Sequence, residues 1–374
     1  MQNKHLFSLL AFTMLASCTV GPDYERPQFY PDAEVAKNLK LEQAEASPVG
    51  QDWYKQFNDP ALNRLIERAW AASPNVRIAV HKLREARYGL LRSNVQSFPM
   101  LDINAGYNYD RSSRDIGFSI DRDYYQLGMD ASWELDIWGG NRRAAEASRA
   151  LFEAAGANLD NVRLVMAAEV ANNYISLRTA QEQLRVAREN LKLQQEIYQL
   201  VQQKYDVGLT DFIALNQAQY AVESTKTLIP QLESEIEAYK NAVAVLLGVL
   251  PDDLAGTLDN TADNLVRRRL SYNLKQLYRL RVDVIRNRPD VRLAEQNLIA
   301  QNAAVGEAVA NLYPDVSISG FVGWQSGKIA GLINGDHSTY SYAPALKLPF
   351  FHWNQLMNTV NEQKEVKEQY VLSY

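Results

Sequence analysis

The sequence contains one arrangement of residues twice, and this internal similarity constrains the fold more than any other feature. The segment 73–77 (SPNVR) recurs at 288–292 (RPDVR). The segment 133–141 recurs at 346–354, at nearly the same separation along the chain. Because similarity at a nearly constant separation indicates a repeated structural unit, we expect two copies of a helix, a strand, a loop, a strand and a helix.

The second copy is expected to be incomplete. When 346–354 is aligned with 133–141, Tyr374 corresponds to Asn161 of the first copy, which continues to about Leu250. We therefore expect a C-terminal truncation of the second copy. The predicted organisation is a signal peptide at 1–17, an N-terminal arm at 18–59, the first repeat at 60–250, a linker at 251–284 and the truncated second repeat at 285–374.

Four segments alternate apolar and polar residues, as β-strands with one apolar face do. They lie at 101–109, 125–137, 316–324 and 340–350. The polar positions include the acidic residues Asp102, Asp130, Glu134 and Asp136. A soluble sandwich and a membrane barrel would both produce this alternation, although aromatic residues near strand ends are also typical of a barrel. Alternation alone leaves both folds open.

Two long helices are predicted between the first strand pair and the linker. The segment 141–207 lacks proline, so it can form a helix of roughly 100 Å. Apolar residues spaced by seven predict a left-handed coiled coil, and the first helix has two such rows, which indicates packing on two sides. The rows are Val170, Leu177, Leu184, Leu191, Tyr198 and Tyr205, and Val186, Leu193, Leu200 and Val207. Pro230 is expected to kink the second helix.

The turn between the two helices is the segment Val207-Gly208-Leu209-Thr210-Asp211. Gly208 can adopt the left-handed conformation that ends a helix. Thr210 or Asp211 can cap the helix that follows. The sequence therefore predicts a tight helix-to-helix turn at 207–211.

The N-terminus has the features of a secretory signal. Lys4 supplies the positive charge, an apolar stretch follows at 6–16, and Leu-Ala-Ser precedes Cys18. This order resembles a bacterial lipobox, which implies cleavage before Cys18 and attachment of lipid to it, so that the arm at 18–59 is lipidated. Thr19 follows the cysteine, where an aspartate would indicate retention in the inner membrane, so we expect the outer membrane.

Several function classes are disfavoured by the same sequence. The net charge of −5 includes no basic cluster of the kind that binds nucleic acid. The four histidines are scattered, and no catalytic triad, phosphate-binding loop or metal-ligand motif is present. Outside the leader, no run of about 18 apolar residues predicts a transmembrane helix. We expect no enzyme, no cofactor, no metal site and no nucleic-acid partner.

Three stretches carry a family resemblance: GPDYERP at 21–27, a group of residues between 53 and 62, and the segment 286–314 with Tyr313-Pro314 at its end. The middle group is Trp53, Phe57, Asp59, Pro60 and Leu62. Together they resemble the outer-membrane factor family of tripartite efflux pumps, in its NodT-type lipoprotein branch of OprM-like channels related to TolC. The resemblance runs from Cys18 to the last residue.

The resemblance implies an α+β membrane protein that assembles as a homotrimer. Four strands per chain would form a twelve-stranded barrel in the outer membrane, continued by a long periplasmic α-helical coiled-coil barrel, with the linker at 251–284 at its equator. Elementary physics also favours an oligomer, because four strands cannot close a barrel and open sheet edges are not tolerated in lipid.

The resemblance also implies a function: a lipid-anchored outer-membrane channel that passively conducts small molecules delivered by an inner-membrane RND pump and a periplasmic adaptor. The adaptor would dock at the turn 207–211. Asp102, Asp130, Glu134 and Asp136 would line the lumen. The alternative is a structural periplasmic coiled-coil lipoprotein with no transport role, which explains the anchor and the heptads but not the four paired amphipathic strands.

Overall fold

The computed structural model describes residues 19–27, 52–111, 121–259 and 286–374. The expected signal peptide, Cys18, most of the arm and most of the linker lie outside the described residues. The chain divides into two compact units, of which the first comprises Met1–Asp32, Lys82–Ala157 and Asp290–Tyr374. The second comprises Ala33–His81 and Asn158–Pro289.

The described residues form seven helices and four strands, together with short 3₁₀ turns. In chain order these are α1 (Pro60–Ala72), α2 (Pro74–Val95), β1 (Met100–Arg111), β2 (Asp121–Leu135), α3 (Gly140–Asp206), α4 (Phe212–Leu247), the single turn α5 (Ala255–Leu258), α6 (Pro289–Ala310), β3 (Asp315–Ser326), β4 (Ser338–Lys347) and α7 (Trp353–Ser373).

The order helix, strand, strand, helix occurs twice. Helices α2 and α6 both have 22 residues and begin with a proline. Their starts, and those of β1 and β3, are separated by the same interval as the similar segments 73–77 and 288–292. At the ends where they are connected, strands β1 and β2 extend further than the alternation predicts, because their pairing continues to Arg111 and Asp121, whose side chains form an ion pair at 3.4 Å.

All four strands belong to one antiparallel sheet in the order β1-β2-β3-β4. Strand β2 pairs with β3 over the whole stretch from Leu135–Val316 to Tyr125–Ser326, so the two strand pairs are joined edge to edge. Within the part of the chain that the structure describes, the strands form a single layer and do not form the two facing sheets of a sandwich.

The long helix predicted between 141 and about 207 is confirmed, since α3 runs without interruption for 67 residues. Helix α4 passes through Pro230 as one helix of 36 residues. Among the described residues, no individual helix has the length and apolarity needed to cross a membrane. Within the described ranges, the one helix pair that passes that test is α4 with the segment Pro251–Leu258, which is bent by 94°.

The two heptad rows of α3 differ in burial, and residues of one row lie in the core of the second unit. Val170 and Leu177 are fully buried among apolar residues of α1 and α4. Leu193 and Leu200, from the other row, are 55% and 52% exposed. At Val170 and Leu177 the first row therefore contributes to the core of this unit, whereas Leu193 and Leu200 of the second row lie on the surface of a single copy.

Polar groups hold this core in register. The hydroxyl of Tyr174 donates to the Asp59 carboxylate at 3.0 Å, and that carboxylate also accepts from the first backbone amides of α1. The buried Arg178 donates to the carbonyl oxygens of Thr257 and Leu258 at 3.1 and 3.0 Å. The segment that follows α4 is thereby attached to α3.

Candidate functional site

The register of the sheet places the apolar residues of all four strands on one face. Met129 lies directly opposite both Ile103 and Val322, and Tyr340 lies opposite Val322. Opposed residues point to the same side of a sheet. The apolar face also contains Leu101, Tyr107, Leu127, Trp133, Ile318, Trp324, Tyr342 and Leu346.

The rest of the described chain leaves this apolar face largely uncovered. Ile103, Val322 and Tyr340 are 77%, 60% and 80% exposed. An apolar surface that spans four strands is too large to be an incidental patch on a water-soluble protein, and patches of this kind mark contact with lipid or with another protein.

Three of the four expected acidic residues share the opposite, polar face. Asp102 lies directly across from Asp130, and the amide of Asn104 donates to the Asp130 carboxylate. Glu134 lies opposite Ser317 on the same face. The structure thus brings Asp102 and Asp130 together as cross-strand neighbours.

Asp136 does not belong with them. Strand β2 ends at Leu135, where the Ile137 amide turns back to the Leu135 carbonyl at 2.8 Å. The Asp136 carboxylate accepts from the backbone amides of Asn141 and Arg142, both at 3.1 Å, and from the Arg142 guanidinium at 3.0 Å. It therefore stabilises the N-terminal end of α3, which corrects the expectation that Asp136 continues the polar face.

An aromatic residue on the polar face was missed by the sequence reasoning. Phe321 lies opposite Asp130, and its ring covers Gly128 and Gly323, which face each other across β2 and β3. A Cβ atom added to Gly128 would lie 2.4 Å from Cζ of Phe321. The sequence feature that could have indicated this contact is a phenylalanine at a polar position of the strand, two residues before a glycine.

The described part of the N-terminal arm, 19–27, packs against the first unit. The Val20 amide donates to the Trp138 carbonyl at 3.0 Å. The guanidinium of Arg143, on α3, donates to the Asp23 carboxylate at 2.7 Å and to the carbonyl oxygens of Val20 and Gly21 at 3.3 and 3.4 Å. Arg143 is buried, so these contacts hold the arm at the start of α3.

Helix α6 contributes the other side of this contact. Asn302 donates to the Pro22 carbonyl at 2.9 Å, and Glu295 accepts from Arg26 at 2.6 Å and from the Tyr24 hydroxyl at 3.2 Å. Gly21 has a φ of +89°, and a Cβ atom on it would lie 2.4 Å from Cα of Gly306. The motif at 21–27 therefore packs on the motif at 286–314.

Burial and the neighbouring carboxylates shift the pKa values of Tyr24 and Arg143 in this contact. Burial, followed by the neighbouring Glu295, raises the pKa of Tyr24 to about 12, so its hydroxyl stays protonated and able to donate to a higher pH than that of a free tyrosine. Burial alone would lower the pKa of the Arg143 guanidinium, but its hydrogen bonds to Asp23 and Glu146 outweigh burial and raise that pKa.

Replacing Arg143 with methionine is expected to loosen the arm. The change removes the charge-assisted hydrogen bond to Asp23, of the kind that contributes about 1.5–3 kcal/mol, together with the bonds to the Val20 and Gly21 carbonyls. Amide exchange in 19–27 should then accelerate by roughly ten-fold or more, since about 1.4 kcal/mol corresponds to ten-fold in an opening equilibrium. Hydrogen-exchange mass spectrometry on the intact chain measures this.

The neighbouring Arg142 provides the matched control. Its guanidinium contacts Asp136 and the Asp136 carbonyl, so methionine at 142 should leave exchange in 19–27 unchanged. Equal acceleration in both variants would show that the arm responds to general loosening of α3 and not to its contacts with Arg143.

The turn 207–211 lies in the second unit and has the predicted conformation. Gly208 has a φ of +73° and ends α3, as expected, while the Leu209 amide donates to the Lys204 carbonyl at 2.7 Å. Asp211, rather than Thr210, caps α4 by accepting from the Ala214 amide at 2.9 Å. Val207 and Leu209 are 70% and 75% exposed.

No group of three or more His, Cys, Asp or Glu side chains in the described ranges is arranged to hold a metal ion.

Comparison with known proteins gives a consistent result over most of the chain. The family model for outer membrane efflux protein matches residues 65–249 and 280–374. Nodulation protein T of Rhizobium leguminosarum bv. trifolii is 26% identical over 359 residues, which cover 96% of this chain and 74% of that protein. The probable outer membrane lipoprotein SilC of Salmonella typhimurium is 27% identical over 378 residues, which cover 99% and 78%.

Among solved structures, the outer-membrane channel OprN superposes with a TM-score of 0.80 at 32% sequence identity. The superposition covers 96% of this chain and 79% of the OprN chain.

Proposed function

The chain belongs to the outer membrane efflux protein family, and from this premise we propose how its described residues form an exit duct. It is the outer-membrane channel component of a tripartite efflux system and is located in the outer membrane. The observation that carries the proposal is the sheet, which has a broad apolar face, a polar face and two unpaired edges.

The unpaired edges require further copies of the chain. In the described residues, β1 and β4 are each paired on one side only. Backbone groups left unpaired in lipid cost several kcal/mol each. Strand β4 of one chain therefore pairs with β1 of the next until the ring closes. Transmembrane barrels have at least about eight strands, and the family resemblance selects a homotrimer with twelve.

The two faces of the sheet then have different surroundings. The apolar face contacts outer-membrane lipid, and the polar face, with Asp102, Asp130 and Glu134, lines a water-filled lumen. Small molecules pass through this lumen passively. The protein acts in transport and not in catalysis, and the energy comes from an inner-membrane RND pump.

The turn 207–211 is the proposed contact for the periplasmic adaptor. Its exposed apolar side chains, Val207 and Leu209, are held outward by the left-handed Gly208 and the cap at Asp211. Exposed apolar groups on a tight, well-ordered turn suit a protein contact. The surface heptad row with Leu193 and Leu200 would pack against neighbouring helices of the trimer.

The contacts of the arm favour the assignment of a lipid anchor at Cys18. Thr19 lies against Gly139, and Val20 is bonded to Trp138, which stacks on Tyr313 just beyond the end of the sheet. Aromatic residues at strand ends are typical of the boundary between lipid and water. The first described residue of the arm, Thr19, would therefore lie near the membrane surface, where a lipid anchor is expected. Labelling of the chain with radioactive palmitate tests this assignment.

Heat-modifiable gel migration tests the channel against the structural-lipoprotein alternative. The full chain, extracted in mild detergent, should migrate as a separate oligomeric band when unboiled and as a single monomer band after boiling. Chemical cross-linking of the unboiled sample should stop at three chains. A monomer band in both unboiled and boiled samples, with no cross-linked trimer, would support a coiled-coil lipoprotein without a barrel.

A further inference from the structure

Phe321 is an exception among its neighbours on the polar face of the sheet. The residues opposite it and beside it on that face are Asp130, Ser341, Ser319 and Gly323. A phenylalanine ring projecting into water from this position would be unfavourable and would obstruct the space above the sheet. The structure shows how this projection is avoided.

The ring lies in a depression formed by two glycines. Gly128 and Gly323 are directly opposed across β2 and β3. A Cβ atom on Gly128 would lie 2.4 Å from Cζ and 2.5 Å from Cε2 of Phe321, and a Cβ atom on Gly323 would lie 2.8 Å from Cζ. The ring thus occupies the volume of two missing side chains, and it buries both glycines.

Contact between an aromatic ring and a strand glycine also stabilises a sheet. At this position the contact has a second consequence, because three-fold symmetry repeats any change of ring orientation at one level of the barrel. A ring held flat against the wall leaves the lumen open. A ring displaced from the wall points across it, together with its two symmetry mates.

We propose that Phe321, held against the wall by Gly128 and Gly323, determines the bore of the lumen at this level and thereby the passage of ions and organic solutes. The proposal rests on the function proposed above, in which the polar face lines a water-filled lumen. The pair of residues that controls the bore is a ring and the glycine beneath it.

Single-channel conductance in planar lipid bilayers, with potassium chloride as the permeating salt, tests the proposal. Gly128→Ala should displace the three rings and lower the conductance roughly two-fold, because conductance follows the open cross-section. Phe321→Ala should conduct at least as well as the unmodified channel. Gly128→Ala combined with Phe321→Ala should restore the conductance, since no ring is left to displace.

The double variant separates ring displacement from damage to the backbone. A Cβ atom on Gly128 would also lie 2.7 Å from the Val322 carbonyl oxygen, so the alanine can disturb the sheet. If conductance stays low in the double variant, the ring is not the cause and the proposal is overturned. An unchanged conductance in Gly128→Ala, with normal trimer on unboiled gels, overturns it as well.

A cysteine at position 321 tests independently whether this level of the lumen limits the conductance. This test also applies if Gly128→Ala does not assemble. Phe321→Cys should conduct like the unmodified channel until a bulky water-soluble methanethiosulfonate reagent is added, and should then lose roughly half of its conductance. Modification without a change in conductance would show that this level does not limit the bore.

Two further cysteine variants distinguish failure of this proposal from failure of the proposed function. Asn104→Cys lies on the polar face and Ile103→Cys on the apolar face. In lipid vesicles only the variant at 104 should react with the water-soluble reagent. Reaction at 103 and not at 104 would overturn the channel orientation, and with it the bore proposal. Reaction at 104 alone, with no effect of the changes at 128 and 321, would overturn the bore proposal and leave the channel intact.

Discussion

Replacing Val322 with arginine is expected to prevent stable assembly of the protein in the outer membrane. Val322 lies near the middle of β3 on the apolar face, between Met129 and Tyr340, and is 60% exposed. An arginine on the lipid side of a barrel costs about 2–4 kcal/mol near the midplane of the bilayer. In a trimer this cost occurs three times. The oligomeric band of unboiled, detergent-extracted protein should disappear.

Ser319 offers the matched control on the same strand. It lies on the polar face, and its hydroxyl donates to the Ala343 carbonyl at 3.3 Å. Arginine at 319 would extend into water, so the oligomeric band should persist with a small change in its urea midpoint. If arginine at 322 and arginine at 319 are equally well tolerated, the apolar face does not contact lipid and the barrel assignment is wrong.

Replacing Gly208 with glutamate is expected to weaken coupling to the adaptor strongly while the trimer still forms. The φ of +73° at Gly208 strains a glutamate there by about 1–2 kcal/mol, and we expect the trimer to assemble despite this strain. The carboxylate, however, is placed between the exposed Val207 and Leu209, where docking would bury it. Burial of an unpaired charge costs far more than the strain, so binding of the adaptor should weaken by at least about ten-fold.

The variant Gly208→Gln is the control for backbone strain. Glutamine has the shape of glutamate and is strained at the same φ, but it carries no charge. Co-purification of the adaptor with each variant, normalised to the trimer band, is the measurement. Normal recovery of the adaptor with the glutamate variant would show that 207–211 is not the docking turn, whereas equal loss in both variants would indicate that the turn conformation, and not the charge, is what the adaptor requires.

The two faces of the sheet could be predicted because strand alternation is a local property. Asp102, Asp130 and Glu134 share a face since residues two apart on a strand point the same way, and the register preserves this across the pair. The expectation that Asp136 continues the polar face was wrong because the alternation of apolar and polar residues continues in the sequence beyond the end of the strand. Strand β2 ends at Leu135, and the Asp136 carboxylate accepts hydrogen bonds at the start of α3. The position of the strand end depends on the helix that follows it.

Phe321 could not be interpreted from its own strand. Gly323 lies two residues away, but Gly128 is brought beneath the ring only by the pairing of β2 with β3, which joins strands from the two different repeats. The same holds for the arm, whose residues 21–27 carry a motif without any local reason for it. Arg143, Asn302 and Glu295 supply that reason from two distant helices.

Local patterns in the sequence thus determined the length of α3, the left-handed Gly208, the amphipathic strands and the two heptad rows, because each depends on neighbours along the chain. The tertiary structure alone decided which row is buried: Val170 and Leu177 pack on α1 and α4, while Leu193 and Leu200 stay on the surface. Both rows are equally apolar in sequence. The two rows differ in their long-range contacts, since the buried residues pack against α1 and the segment after α4. Such contacts depend on how segments distant in sequence pack together and not on the composition of either row.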